Sequence, residues 1–158
     1  MIFQRTEIDD VVIIEPQVIR DGRGYFLESF RSDRLDEFLG YKINFCQDNE
    51  SKSCRGVLRG LHYQLAPAAQ TKLVRVIRGS VLDMVVDIRK GSPTFGRHIS
   101  IALTGENKRQ VLVPRGFAHG FVVLEDDTVF SYKVDNPYSP ENDRGILFND
   151  ESLGIDLK

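Results

Sequence analysis

The sequence predicts an all-β protein: an antiparallel sandwich or barrel of the jelly-roll kind, carrying one short helix. Three observations lead there. β-branched and apolar runs recur at even spacing through the second half of the 158-residue chain, turn residues separate them, and a single stretch has helical periodicity. At 41% hydrophobic residues the chain has the apolar material for one core, so residues 1–158 are expected to form a single domain.

Taken in order, residues 11–14 form a short β-branched run limited by Pro16, and Asp21-Gly22-Arg23-Gly24 is a turn. Residues 25–30 alternate, which places Phe26 and Glu28 on one strand face. Residues 32–39 are the helix candidate. Ser32 is positioned to cap it, Leu35, Phe38 and Leu39 supply the apolar stripe, and Gly40 ends it. From there strands are expected over 72–78, 80–88, 97–103, 110–113, 120–124 and 128–134. The tail from Asn136 reads as irregular, packed by Tyr138, Ile146, Leu147 and Phe148. No internal repeat or low-complexity tract occurs.

With 21 basic against 23 acidic residues, the net charge of -2 gives no general electrostatic case for nucleic acid or for an anionic membrane surface. Cys46 and Cys54 are too few for a disulfide framework, and no segment has the apolar length of a signal peptide or a membrane span. The expectation is a cytoplasmic protein with two reduced thiols.

Chemistry concentrates in residues 55–64, Arg-Gly-Val-Leu-Arg-Gly-Leu-His-Tyr-Gln, where cations and an imidazole interrupt an apolar, glycine-punctuated segment. A half-buried cation there needs an anionic partner, either a protein carboxylate or a ligand phosphate. Strand alternation adds Lys72, beside Val74 and Val76, and Tyr132, between Phe130 and Val134. Asp83 and Asp87 share a face with Val81 and Val85, and the turn at 114–119 is expected to deliver His119 at the mouth of a strand. Two imidazoles, an ammonium, a phenol and arginines together suit proton abstraction next to a carbonyl. Pro-x-Gly-x-x-His at 114–119 resembles the second metal motif of the cupins, but the first motif reads His62-Tyr63-Gln64 with no following glutamate before Gly79. The site is read as metal-free, and no cofactor is expected.

These segments together resemble the dTDP-4-dehydrorhamnose 3,5-epimerase family. The matching stretches are 21–28, 47–49, 55–64, 72–75, 87–96, 106–110, 114–121 and Tyr132-Lys133, which cover nearly the whole chain. The resemblance implies a cupin-like jelly roll that epimerises C3, C5 or both of a nucleotide-diphospho-4-keto-6-deoxy sugar through an enolate. It implies His62 as the base, Tyr132 as the acid on the opposite face, and Lys72 as the cation at the enolate oxygen. Arg59 and His119 would hold sugar and diphosphate, with Gln47 and Asn49 nearby, and Asp143 would lie in the nucleotide region. Arg23 and Glu28 would come from the partner in a homodimer with exchanged N-terminal strands. Phe26 and Tyr138 would flank the base.

Two departures from the family pattern stand out. Asp143 occupies a position where members usually carry glutamate. The pattern also continues past Lys158 through a Leu-Ser-x-Lys-Asp segment, so a member with a shortened C-terminus is expected. That segment supplies a substrate-contacting lysine and the aspartate that orients the catalytic histidine. Either another carboxylate such as Asp83, itself a candidate partner for an imidazole or for Lys72, takes over, or activity is reduced, or one centre only is epimerised. Competing readings are a 3,4-ketoisomerase of the same fold and a non-catalytic jelly roll that binds a sugar nucleotide.

Overall fold

A computed structural model describes residues 1–156; the shortened C-terminus expected at Leu157-Lys158 lies outside them. Thirteen strands, one α-helix and one 3-10 turn follow in order. They are β1 (Ile2–Arg5), β2 (Val12–Glu15), β3 (Val18–Asp21), β4 (Gly24–Leu27), α1 (Ser32–Leu39), β5 (Gln47–Ser53), β6 (Leu58–Gln64) and β7 (Lys72–Arg78). Then come β8 (Ser80–Asp87), β9 (His98–Thr104), β10 (Gln110–Val113), β11 (Phe117–Val123), β12 (Thr128–Val134), β13 (Asp143–Gly145) and the 3-10 turn Glu151–Leu153.

Two antiparallel sheets pack face to face. One has the order β1-β2-β10-β7-β12-β5 and the other β13-β6-β11-β8-β9. Alternation along each strand sends Val74, Val76, Val111 and Phe130 from the first sheet, and Val81, Val85, Leu103 and Phe121 from the second, into a shared core. Phe130 is 1% exposed, and full burial of a side chain this size contributes about 3 kcal/mol. A second apolar layer, with Leu73, Leu112 and Val12, is covered by α1 through Leu35. A third, with Leu61, Met84 and Ala118, is covered by Phe148 and Ile146 of the tail.

The expected jelly-roll sandwich with one short helix is observed, with several local differences. The helix begins after Arg31, the N-cap residue, which makes no side-chain cap bond; Ser32 is already helical. Gly40 ends it in the left-handed region (φ 78), which costs glycine nothing sterically. The strand expected over 25–30 stops at Leu27, leaving Glu28 beyond its end. Strand β11 starts at Phe117, so His119 lies within the strand and not in the turn before it. In the tail, Phe148 is buried, whereas Leu147 and Tyr138 are exposed and do not pack it. Among the described residues no helix is long and apolar enough to cross a membrane.

Candidate active site

Strands β6 and β11 build the floor of the site. Gly60 (φ +105) and Gly120 meet backbone to backbone: a Cβ on Gly60 would stand 2.5 Å from the His119 carbonyl oxygen, and one on Gly120 would stand 2.5 Å from that of Arg59. Only glycine permits this approach. The register shifts between His119 and Phe121, and the bulge sets His119 directly across from His62.

A cavity of about 690 Å³ opens over this floor between the two sheets. His62, Arg59 and His119 line it from the five-stranded sheet, and Lys72, Tyr132 and Asn49 from the six-stranded sheet. Tyr132 pairs with Val74 and Val134 with Lys72, so phenol and ammonium are diagonal neighbours on one wall. Tyr138 and Asp143 complete the rim.

His119 is 6% exposed, and its Nε2 lies 2.8 Å from Oδ2 of the fully buried Asp83. Asp83 therefore orients His119, not His62. Burial raises the Asp83 pKa, opposed by the charge and hydrogen bond of His119 and by the charge of Lys72. Lys72 is lowered to about 8 by burial, against the charges of Asp83 and Asp143. Burial also raises Tyr132, as does the charge of Asp143, against Arg59 and a hydrogen bond from Asn49. The phenol thus holds its proton through the neutral range, as an acid must. Stacked Phe121 and Phe130, with ring centroids 4.1 Å apart, make the wall behind these groups apolar.

Four expected site residues lie away from the cavity lining. Gln47 sits one step outside, its Nε2 donating to Asn49 Oδ1 at 2.8 Å. Arg23, Phe26 and Glu28 belong to the β3–β4 hairpin and its exit, and none lines the cavity of its own chain. Asp87, on the same strand face as Asp83, is likewise remote: its carboxylate accepts from Arg89, Ser92 and Thr94. Burial opposes its ionisation, but those bonds outweigh burial and hold it well below the usual carboxylate range.

Sequence reasoning missed Ser51, Gln64 and Gln70, which also line the cavity. Parity was the available signal for two of them. Ser51 is two residues from Asn49 and Gln64 two from His62, so each shares its neighbour's face.

The family model for dTDP-4-dehydrorhamnose 3,5-epimerase matches residues 5–158. The chain belongs to this family. A dTDP-4-dehydrorhamnose 3,5-epimerase of Shigella flexneri is 56% identical over 152 residues, covering 96% of this chain and 84% of the relative. The crystal structure of dTDP-6-deoxy-D-glucose-3,5-epimerase from Legionella pneumophila, in complex with dTDP-4-keto-L-rhamnose, superposes with a TM-score of 0.94 at 51% identity, covering 98% of this chain and 81% of that one. A 3'-monoepimerase from Streptomyces bikiniensis, in complex with dTDP-quinovose, superposes with a TM-score of 0.91 at 34% identity over 96% of this chain and 76% of its own. Membership of this epimerase family accounts for the cupin-like fold described above.

Proposed function

We propose that this protein epimerises C3 and C5 of dTDP-4-dehydro-6-deoxyglucose. One observation carries the reading: His62 and Tyr132 line the same cavity from opposite sheets. A sugar ring held between them meets a base on one face and an acid on the other, which is what inversion at carbon requires. The C4 ketone acidifies the hydrogens at both C3 and C5, so one enolate chemistry serves both centres and no cofactor is needed.

In this reading His62 removes the proton, and negative charge develops on the C4 oxygen beside the Lys72 ammonium. A fixed cation in a partly desolvated site stabilises that oxygen more than it would in water. Tyr132 then returns a proton from the other side. Arg59 and His119, the latter held by Asp83, grip sugar and diphosphate, while Asn49 with Gln47 behind it, Tyr138 and Asp143 receive the rest of the nucleotide. A cytoplasmic location follows from the use of an activated nucleotide sugar and suits the free thiols of Cys46 and Cys54.

The active assembly in this reading is a homodimer in which the β3–β4 hairpins exchange. Support comes from the hairpin itself: it bonds to neither main sheet, and it exposes Ile19, Tyr25 and Phe26. A two-stranded ribbon is marginal alone and gains stability from packing on a further surface. Exchange would carry Arg23, Phe26 and Glu28 to the partner's cavity.

The test is deuterium incorporation from heavy water into dTDP-4-keto-6-deoxyglucose, followed at C3 and C5 by NMR. Exchange at both carbons is expected, with His62→Ala abolishing it and Tyr132→Phe blocking inversion. Exchange at one carbon would make the protein a mono-epimerase, and binding without exchange would overturn the catalytic reading.

A further inference from the structure

Gln64 closes strand β6 two residues after His62, and its side chain is 7% exposed. Its amide touches two loops at once. Nε2 donates to the carbonyl of Ala68 at 2.7 Å and to that of Pro137 at 3.3 Å, while Oε1 accepts from the Ser139 N–H at 3.0 Å. Both donors and the acceptor are used, and turning the amide over would set its oxygen against two carbonyls and its NH2 against an N–H. One orientation is therefore strongly preferred.

The placement of these bonds matters more than their number. Pro137 and Ser139 flank Tyr138, so the amide pins the backbone on both sides of that residue. Tyr138 itself has little else to hold it: the ring is 59% exposed, and its hydroxyl reaches Asp143 Oδ2 only at 3.4 Å. The third bond, to Ala68, ties the same amide to the loop between β6 and β7, which joins the strand of His62 to that of Lys72. Other bonds between these loops lie further from Tyr138, Gln70 Nε2 donating to the Asn136 carbonyl at 2.8 Å on one side and the Leu65 N–H to the Asn142 carbonyl at 2.9 Å on the other, and neither reaches the residues adjoining it. Among the described residues, the Gln64 amide is thus the tie between these loops that bonds the backbone immediately on both sides of Tyr138.

We propose that Gln64 is a positioning residue that acts through Tyr138 to fix the nucleotide-binding rim of the cavity. The inference rests on the functional reading above, in which Tyr138 meets the nucleotide. It separates rim from chemistry, because His62, Lys72 and Tyr132 are held by their own strands and do not depend on the amide.

The experiment is titration of dTDP by calorimetry, which needs no turnover, together with steady-state kinetics on the keto sugar. Gln64→Leu is expected to weaken dTDP binding and raise KM by about tenfold, with kcat changed less than about threefold. Gln64→Glu keeps the acceptor for Ser139 but opposes two carbonyls with oxygen, so it should weaken binding by a comparable factor; it serves as the second variant if Gln64→Leu does not fold. In a Tyr138→Ala background Gln64→Leu should add no further loss. Wild-type dTDP affinity in both folded Gln64 variants, a loss confined to kcat, or losses that add in the double variant would overturn the proposal. Failure of wild type to bind dTDP would overturn the nucleotide reading and this inference with it. Binding with the expected variant effects but no deuterium exchange would sink the epimerase chemistry alone.

Discussion

Replacing Lys72 with methionine separates what the ammonium costs from what it does. Burial lowers its pKa to about 8 from an ordinary 10.5, so keeping the charge in this site costs about 3 kcal/mol at neutral pH. Methionine retains an unbranched apolar stem without the charge, and the variant is expected to be more stable by up to about 3 kcal/mol in urea unfolding at pH 7. The sign of the pH dependence follows from proton binding. Between about pH 8 and 10.5 the unfolded chain holds the lysine proton and the folded chain has released it, so stability rises with pH in that window. From pH 7 to 10 the wild type should gain about 2–3 kcal/mol from this group, a gain the variant lacks. Activity runs the other way. Loss of the cation at the enolate oxygen should lower kcat by about 10²–10³, and kcat/KM of the wild type should fall above about pH 8 as the ammonium loses its charge. Lys72→Met retaining turnover would refute the catalytic role, and parallel stability–pH curves for the two proteins would refute the desolvated ammonium.

Two further predictions concern assembly and scaffold. Phe26→Ser, which removes the most exposed large apolar side chain of the β3–β4 hairpin, should shift the protein from dimer to monomer in sedimentation velocity; a monomeric wild type would dismiss the exchange model. Arg89→Ala strips the buried Asp87 carboxylate of its cation, bonded at 2.8 Å, while Ser92 and Thr94 remain. That change should cost about 3 kcal/mol in chemical unfolding, and a cost near zero would mean that the two hydroxyls alone satisfy the carboxylate.

Much of the fold was legible because alternation is a local signal. Strands β7, β10 and β12 matched their expected spans, since each carries apolar residues on the core face. Strand β5 was not legible: Gln-Asp-Asn-Glu-Ser-Lys-Ser contains no apolar residue, because one of its faces turns to solvent and the other to a polar cavity at the sheet edge. The start of β11 was misread for a different reason. Gly116 and the proline before Arg115 mark a turn correctly, but pairing of Phe117 with Asp87 carries the ladder three residues further back than the apolar run suggested.

The sequence by itself determined the strand pattern, the balance of charge, and a set of groups suited to proton transfer: Lys72 and Tyr132 in alternating runs, and His62 in a glycine-punctuated apolar segment. Only the tertiary structure decided how those groups are opposed. His62 and Tyr132 stand on opposite walls because their strands belong to different sheets, and His119 faces His62 because a bulge at Gly120 shifts the register. Asp83 binds His119, and Gln64 brackets Tyr138 from 74 residues away in the chain. These facts depend on register between distant segments, and register is set by the packing of the whole core, not by any local run of residues.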